Sequence, residues 1–250
     1  MVENKNFKEE CKSEIRKMAK DEDLKKLSID WMNAANNEKY SYHFEWLGLP
    51  IIQYPQDMVA MQEIIWNVKP DLIIETGIAR GGSLIYYASL MELLETTNTS
   101  IGGRIIGIDN DIRTHNRSAI ESHPLFRRID LIEGSSINSS TKDRVSEQIG
   151  EAKNILVVLD SFHTHKHVLL EMEMYQSFVS DNSYLVVFDT IIEFMREDLF
   201  QDRPWGIGDN PMTAVYKFLE TNKDFKIDKG IHEKLQISVA PYGYLKCSRD

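Results

Sequence analysis

The sequence predicts an α/β fold built on a doubly wound, mostly parallel sheet, and three observations carry that expectation. From Asp71 onward, short apolar runs alternate with helix-like segments, the order that arises when parallel strands are covered by helices on both faces. The first run, Leu72 to Ile74, ends in Glu75 and passes straight into a glycine-rich turn at Gly77, Gly81 and Gly82, the strand-turn-helix of a nucleotide-binding domain. The other runs also end in polar groups, Asp109, Glu133, Asp160 and Asp189, and open α/β sheets bind ligands at their strand carboxyl ends.

Taken in order, residues 1 to about 39 are highly charged, with Ile15, Met18, Leu24, Leu27 and Trp31 at irregular helical spacing, which predicts one or two helices. Residues 1–53 are read as a helical N-terminal extension, serving oligomerisation or acting as a lid, ahead of a ligand-binding domain at 54–250. Tyr40 to Tyr54 is aromatic and irregular, and reads as a connector. Pro55 and Asp57 open a helix to about Asn67 with Met58, Met61, Ile64 and Ile65 on one face. After the strand at Leu72–Ile74 comes a helix from Ser83 to about Leu94. Further strands are expected at Gly103–Ile108, Ile129–Ile132, Ile155–Leu159 and Tyr184–Phe188. Two late apolar stretches, around Phe225–Ile231 and Ile237–Cys247, read as a closing antiparallel hairpin.

A chain of 250 residues can bury a substantial core. Its net charge of −10 argues against a nucleic-acid partner, which needs a lysine- and arginine-rich face, and the cluster Arg113, Arg117, Arg127 and Arg128 is diluted by acids. Cys11 and Cys247 form no metal or redox motif. With no apolar leader and no 18-residue apolar run, the chain reads as soluble and cytoplasmic, with no membrane partner.

The glycine turn narrows the ligand. A dinucleotide fold prefers G-x-G-x-x-G and a Walker loop needs Gly-Lys-Ser/Thr, but no lysine lies between Pro70 and Gly103. The pattern here, E-x-G-x-x-x-G-G with Arg80 inside it, resembles motif I of S-adenosylmethionine (SAM) methyltransferases. Gly77, Gly81 and Gly82 let backbone approach a ligand. Glu75 can face the ammonium or sulfonium end of such a cofactor, and the helix opening at Ser83 offers N–H groups to its carboxylate. The bland alternative is a turn that needs glycine for packing. Asp109 suits ribose hydroxyls, or else caps the next helix. Gly134-Ser135 leaves room for an adenine ring, or is a plain turn.

The second signal is Leu159-Asp160-Ser161-Phe162-His163-Thr164-His165-Lys166-His167. Asp160 ends a strand and His163 is expected to start a helix. Spacings of two do not share a helix face, so only His163 and His167 could hold a zinc ion together. His163 suits a general base better. Asp160 and Asp189 end neighbouring strands, where paired carboxylates suit Mg²⁺. Two unrelated helix caps are the alternative.

Together, ETGIARGGSLIYYASL, GIDNDIRTHN, IEGSS, LDSFHTHKHV, YLVVFDT, RPWGIGDNP and PYGYLK resemble the cephalosporin hydroxylase family, also described as the rhamnosyl O-methyltransferase family. The match runs from Tyr54 to Lys246. It implies the class I SAM-methyltransferase fold, SAM on Glu75, Gly77, Ser83, Asp109 and Ser135, Mg²⁺ on Asp160 and Asp189, and His163 as base. The expected activity is SAM-dependent O-methylation of a sugar or secondary metabolite by a homo-oligomer; the loop Arg203–Pro211 is read as shaping the acceptor pocket, or else as a surface Ω-loop held by Trp205. The alternatives are an oxidative tailoring enzyme and a catalytically lost binding subunit. One departure stands out: the family pattern V-V-E-D-T is here Val187-Phe188-Asp189-Thr190, and phenylalanine offers no oxygen to a metal.

Overall fold

A computed structural model describes residues 5–97 and 102–249; residues 1–4, 98–101 and 250 of the expected 1–53 and 54–250 units lie outside the described residues. The apolar runs form β3 (Leu72–Thr76), β4 (Arg104–Asp109), β5 (Ile129–Glu133), β6 (Ile155–Leu159) and β7 (Tyr184–Val187), all mutually parallel and ordered β5-β4-β3-β6-β7. β3, β6 and β7 are buried throughout, as parallel strands covered on both faces must be.

Because side chains alternate along a strand, neighbouring residues serve two separate cores. Ile73, Ile105, Leu156, Val158 and Val186 face α3 (Pro55–Val68) and α4 (Gly82–Thr96). Leu72, Ile74, Ile106, Val157 and Leu185 face the opposite layer, with α6 (Ser139–Ile149), α7 (His165–Tyr175) and α8 (Pro211–Thr221). Between β4 and β5 lies α5 (Thr114–Glu121). The arginine cluster is spent on acids: Arg117 pairs with Glu121 and Glu133, Arg127 with Glu92, and Arg128 with Glu92 and Glu95.

The charged N-terminus forms α1 (Lys5–Met18) and α2 (Glu22–Asn36), the second capped by Asp21 accepting from Leu24 N–H. The aromatic connector holds more order than its sequence announced. It contains the antiparallel hairpin β1 (Phe44–Trp46) and β2 (Leu49–Ile51), turned by Leu47 and Gly48 at positive φ. Leu49 and Ile51 join the same core as Ile73 and Leu84.

The C-terminal expectation needs correction. β8 (Phe225–Ile227) and β9 (Tyr244–Cys247) do pair antiparallel, and β9 extends the sheet beyond β7. They are no simple hairpin, because α9 (Lys229–Leu235), capped by Asp228, stands between them. The stretch from Ile237 is then held by buried Asp57, which accepts from Ser238 Oγ, Val239 N and Tyr244 Oη at 2.6, 2.9 and 2.7 Å. β7 also stops one residue early: Asp189 turns left-handed at φ 56°, ending the extended run.

Candidate active site

A cavity of about 590 Å³ opens at the carboxyl ends of β3, β4, β5, β6 and β7. Its floor is possible only because residue 77 is glycine. Gly77 sits at φ +82°, and a Cβ there would lie 2.0 Å from the Asp160 carbonyl oxygen. The glycine turn after β3 and the loop after β6 therefore touch backbone to backbone. Gly81, also left-handed, starts α4 without a side-chain cap, leaving first-turn N–H groups facing outward. Ala79 takes φ 44° in the same turn, a strained setting of the kind found at binding sites.

Of the sequence-predicted residues, Gly77, Arg80, Ser83, Asp109, Ser135, Asp160, His163 and Asp189 line the cavity. Gly81 lies behind them against Ile120. Glu75 lies beneath the lining, fully buried, and accepts from Ser83 Oγ at 2.8 Å while its other oxygen has no partner. Burial pushes its carboxyl up to about 8, outweighing the Ser83 hydrogen bond. Asp109 braces the turn: Oδ2 accepts from the N–H groups of Ile78 and Ala79 at 3.0 and 3.3 Å, and Oδ1 from Asp111 N at 3.1 Å. A carboxylate has about four acceptor positions, so capacity remains for a ligand.

At the other end, Asp160, His163 and Asp189 each offer one ligand atom, all within 4.8 Å of one another. His163 Nε2 lies 3.2 Å from Asp189 Oδ2. Desolvation in the cleft, followed by the charges of Asp189, Glu75 and Glu171, holds the Asp160 carboxyl well above the usual carboxylate range. The left-handed backbone at Asp189 turns its carboxylate into the cavity, while the preceding Phe188 ring packs in the core edge-on to Tyr244 at 6.5 Å.

His163 does not start a helix. It lies in an irregular loop, and α7 begins at His165, whose N–H is captured by Asp209 Oδ1 at 2.7 Å and whose Nδ1 meets Thr213 Oγ1 at 2.8 Å. Those contacts fix where the helix can begin. His163 and His167 consequently do not share a helix face, and among the described residues His167 is outside the metal-capable cluster. His167 Nε2 instead sits 3.1 Å from Ser161 Oγ and 3.2 Å from Ser136 Oγ, and Ser161 donates to buried Glu171 at 2.6 Å. The Arg203–Pro211 loop brings Trp205 edge-on to His163 and Phe162, at centroid distances of 4.8 and 5.3 Å.

Sequence reasoning missed Gln53, Ser136, Ser161, His167 and the wall formed by Ser41 and Tyr42. For His167 the sequence suggests only a shared zinc ion with His163. Gln53 carried no local signal, since it sits inside the stretch read as a connector.

Comparison with known proteins accords with this geometry. Residues 38–248 match the family described as Rhamnosyl O-methyltransferase/CmcI. A rhamnosyl O-methyltransferase of Mycobacterium bovis (strain BCG / Pasteur 1173P2) is 30% identical over 209 residues, 80% of this chain and 76% of its own length. Another, of Mycobacterium leprae (strain TN), is 33% identical over 150 residues, 58% of this chain and 59% of its own. Among solved structures, a CmcI structure described as Mg-SAM aligns with a TM-score of 0.58 at 18% identity, covering 83% of this chain and 78% of its own. The O-methyltransferase from Bacillus cereus in complex with SAH aligns at 0.50 and 14% identity, covering 92% of each chain. The structural likenesses establish the fold, and the length and extent of the sequence match establish the lineage: this chain belongs to the Rhamnosyl O-methyltransferase/CmcI family.

Proposed function

We propose that this SAM-dependent O-methyltransferase methylates a hydroxyl of a sugar or similar small polyhydroxylated acceptor, using Mg²⁺ held by Asp160 and Asp189 and the imidazole of His163 as base. The observation that carries the reading is the placement of the Asp160–His163–Asp189 cluster and the glycine turn in one cavity, joined through the Gly77–Asp160 backbone contact.

The residues fit the ion. Among the described residues neither carboxylate pairs with a lysine or arginine, and Asp160 is raised first by burial and then by the charges of its acidic neighbours, so a hard divalent cation would offset both with the oxygen ligands it prefers. When bound, Mg²⁺ would fix the acceptor's hydroxyl and lower its pKa. The cofactor's end of the cavity fits as well. The α4 N-terminus and the turn N–H groups suit a carboxylate, Asp109 suits ribose hydroxyls, and the small Ser135 leaves room for a flat ring.

The chain's own work is positioning and proton transfer. Holding acceptor oxygen and methyl carbon in line supplies much of the rate. The imidazole of His163 takes the hydroxyl proton, and Asp189, whose Oδ2 lies 3.2 Å from Nε2, stabilises the imidazolium. Trp205 packs edge-on against the ring and holds its orientation. Ser41 and Tyr42, from the N-terminal extension, wall the cavity and exclude water. We further read residues 1–53 as a unit that covers the cavity and joins two copies of the chain, and we place the enzyme in the cytoplasm. No helix among the described residues is long and apolar enough to cross a membrane.

The test is formation of S-adenosylhomocysteine from SAM with a panel of methyl glycosides. EDTA should abolish transfer and Mg²⁺ restore it. Asp189→Ala and His163→Ala should each lose about 10²–10⁴-fold in kcat, since both act on one proton-transfer step. Full activity in EDTA, or in His163→Ala, would overturn the mechanism.

A further inference from the structure

Gln53 is a buried polar side chain of the cavity wall that the chemistry above leaves unused. It is 6% exposed, and it lines the cavity together with Asp160, His163 and Asp189. Its Nε2 donates to Asp160 Oδ2 at 3.2 Å, while its Oε1 is buried with no hydrogen-bond partner. Leaving an acceptor in that state costs about 1–3 kcal/mol, which calls for a partner that arrives later.

We propose that the partner is the cation, and that the Gln53 amide oxygen is a third protein ligand beside Asp160 and Asp189. The inference rests on the metal reading of the preceding subsection. A side-chain amide carries a donor and an acceptor at equivalent positions, and half a turn exchanges them. Facing a bare carboxylate, the NH₂ end is favoured; facing a cation held by that carboxylate, the carbonyl end is. The spacing suits both states. Adjacent oxygens of an octahedral Mg²⁺ shell, with bonds of about 2.0–2.1 Å, lie about 3 Å apart, and the amide end now occupied by Nε2 stands 3.2 Å from Asp160 Oδ2.

The sequence fixes Gln53 there from both sides. Ile51 is buried in the core, and the β2 backbone presses so closely on α4 that a Cβ on Gly82 would lie 2.2 Å from the Pro50 carbonyl oxygen. Tyr54, 1% exposed, donates to Asn36 Oδ1 at 2.9 Å. A side chain between two such anchors is preorganised. The demand for another oxygen is equally local, because the residue beside Asp189 is Phe188, whose ring is in the core. A neutral amide also leaves the shell uncharged, two carboxylates against one divalent ion. The acceptor's proton then departs with less repulsion than three carboxylates would impose.

The experiment is Mn²⁺ binding, read by electron paramagnetic resonance on the full chain with SAM present, together with water relaxation to count waters on the bound ion. Gln53→Leu should weaken Mn²⁺ binding about 10-fold or more and add one water to the bound ion, with SAM affinity retained. Gln53→Glu should tighten binding and keep the water count of the unmodified chain. Should Gln53→Leu fail to fold, the water count in Gln53→Ala is the deciding measurement. Unchanged Mn²⁺ affinity and water count in Gln53→Leu, with Asp189→Ala abolishing binding, would overturn the Gln53 assignment and leave the metal site standing. Absence of Mn²⁺ binding by the unmodified chain would overturn both.

Discussion

Replacing Gly77 with alanine tests whether the glycine turn after β3 and the loop after β6 are one packed unit. The new Cβ would stand 2.0 Å from the Asp160 carbonyl oxygen, 2.5 Å from its carbonyl carbon and 2.6 Å from Ser161 Cα, where real Cβ atoms do not approach within 3.0 Å. All three are backbone atoms, so no side chain can swing aside, and the two loops must part by about 1 Å, the gap between 2.0 and 3.0 Å. Alanine at φ +82° also costs about 1–2 kcal/mol of backbone strain, and overpacking adds about 1–3 kcal/mol. The sum, about 2–5 kcal/mol, should lower Tm by about 4–20 °C in a chain of this size. Because Asp160 moves with its carbonyl, Mn²⁺ affinity should fall about 10–100-fold, as when a ligand's support is removed. Gly48→Ala is the control. Gly48 has φ +91° but nothing within 4 Å of its missing Cβ, so it should show the strain alone, a Tm loss of about 2–8 °C, with Mn²⁺ affinity unchanged. Calorimetric unfolding and Mn²⁺ titration of the two variants decide the matter. A Gly77→Ala protein that binds Mn²⁺ as well as Gly48→Ala does would refute the coupling of the two loops.

Glu75 makes stability depend on pH in a defined direction. Folded, it keeps its proton to about pH 8; its ordinary value is 4.5. Between those values the folded chain binds the extra proton, so this group's contribution is fully present below about pH 4.5 and is lost as pH rises to about 8. Glu75→Gln keeps an acceptor for Ser83 and removes the slope. Its Tm should match the unmodified chain near pH 5 and exceed it increasingly towards pH 8, and parallel curves would refute the assignment. For assembly, Leu27 and Trp31 on α2, with Tyr42 and Leu47 beyond it, are large apolar side chains left exposed, the kind of surface that a second copy of the chain can cover. Sedimentation at micromolar concentration should give the mass of two chains, reduced to one by Leu27→Lys with Trp31→Lys; a single-chain mass from the unmodified protein would refute it.

The sequence by itself determined the sheet and its ligand-bearing edge. Strands buried on both faces demand unbroken apolar runs, so Ile155–Leu159 could be read residue for residue. A turn that must take positive φ demands glycine, so Gly77 and Gly81 were visible too. Acids at strand ends have no role in the core, which marked Asp109, Asp160 and Asp189. Only the tertiary structure decided what depends on contacts between distant segments. The start of α7, and so the loop position of His163, is set by Asp209, 44 residues further along the chain. α9 breaks the expected hairpin because the segment around it must also reach Asp57. Phe188 and Asp189 are neighbours sent in opposite directions by one left-handed residue. Gln53 meets Asp160 across 107 residues. Local periodicity reports which face of an element is buried, but a polar residue's partner across the fold leaves no trace in its own neighbourhood, and the Asp160–His163–Asp189 end of this cavity is assembled from such partners.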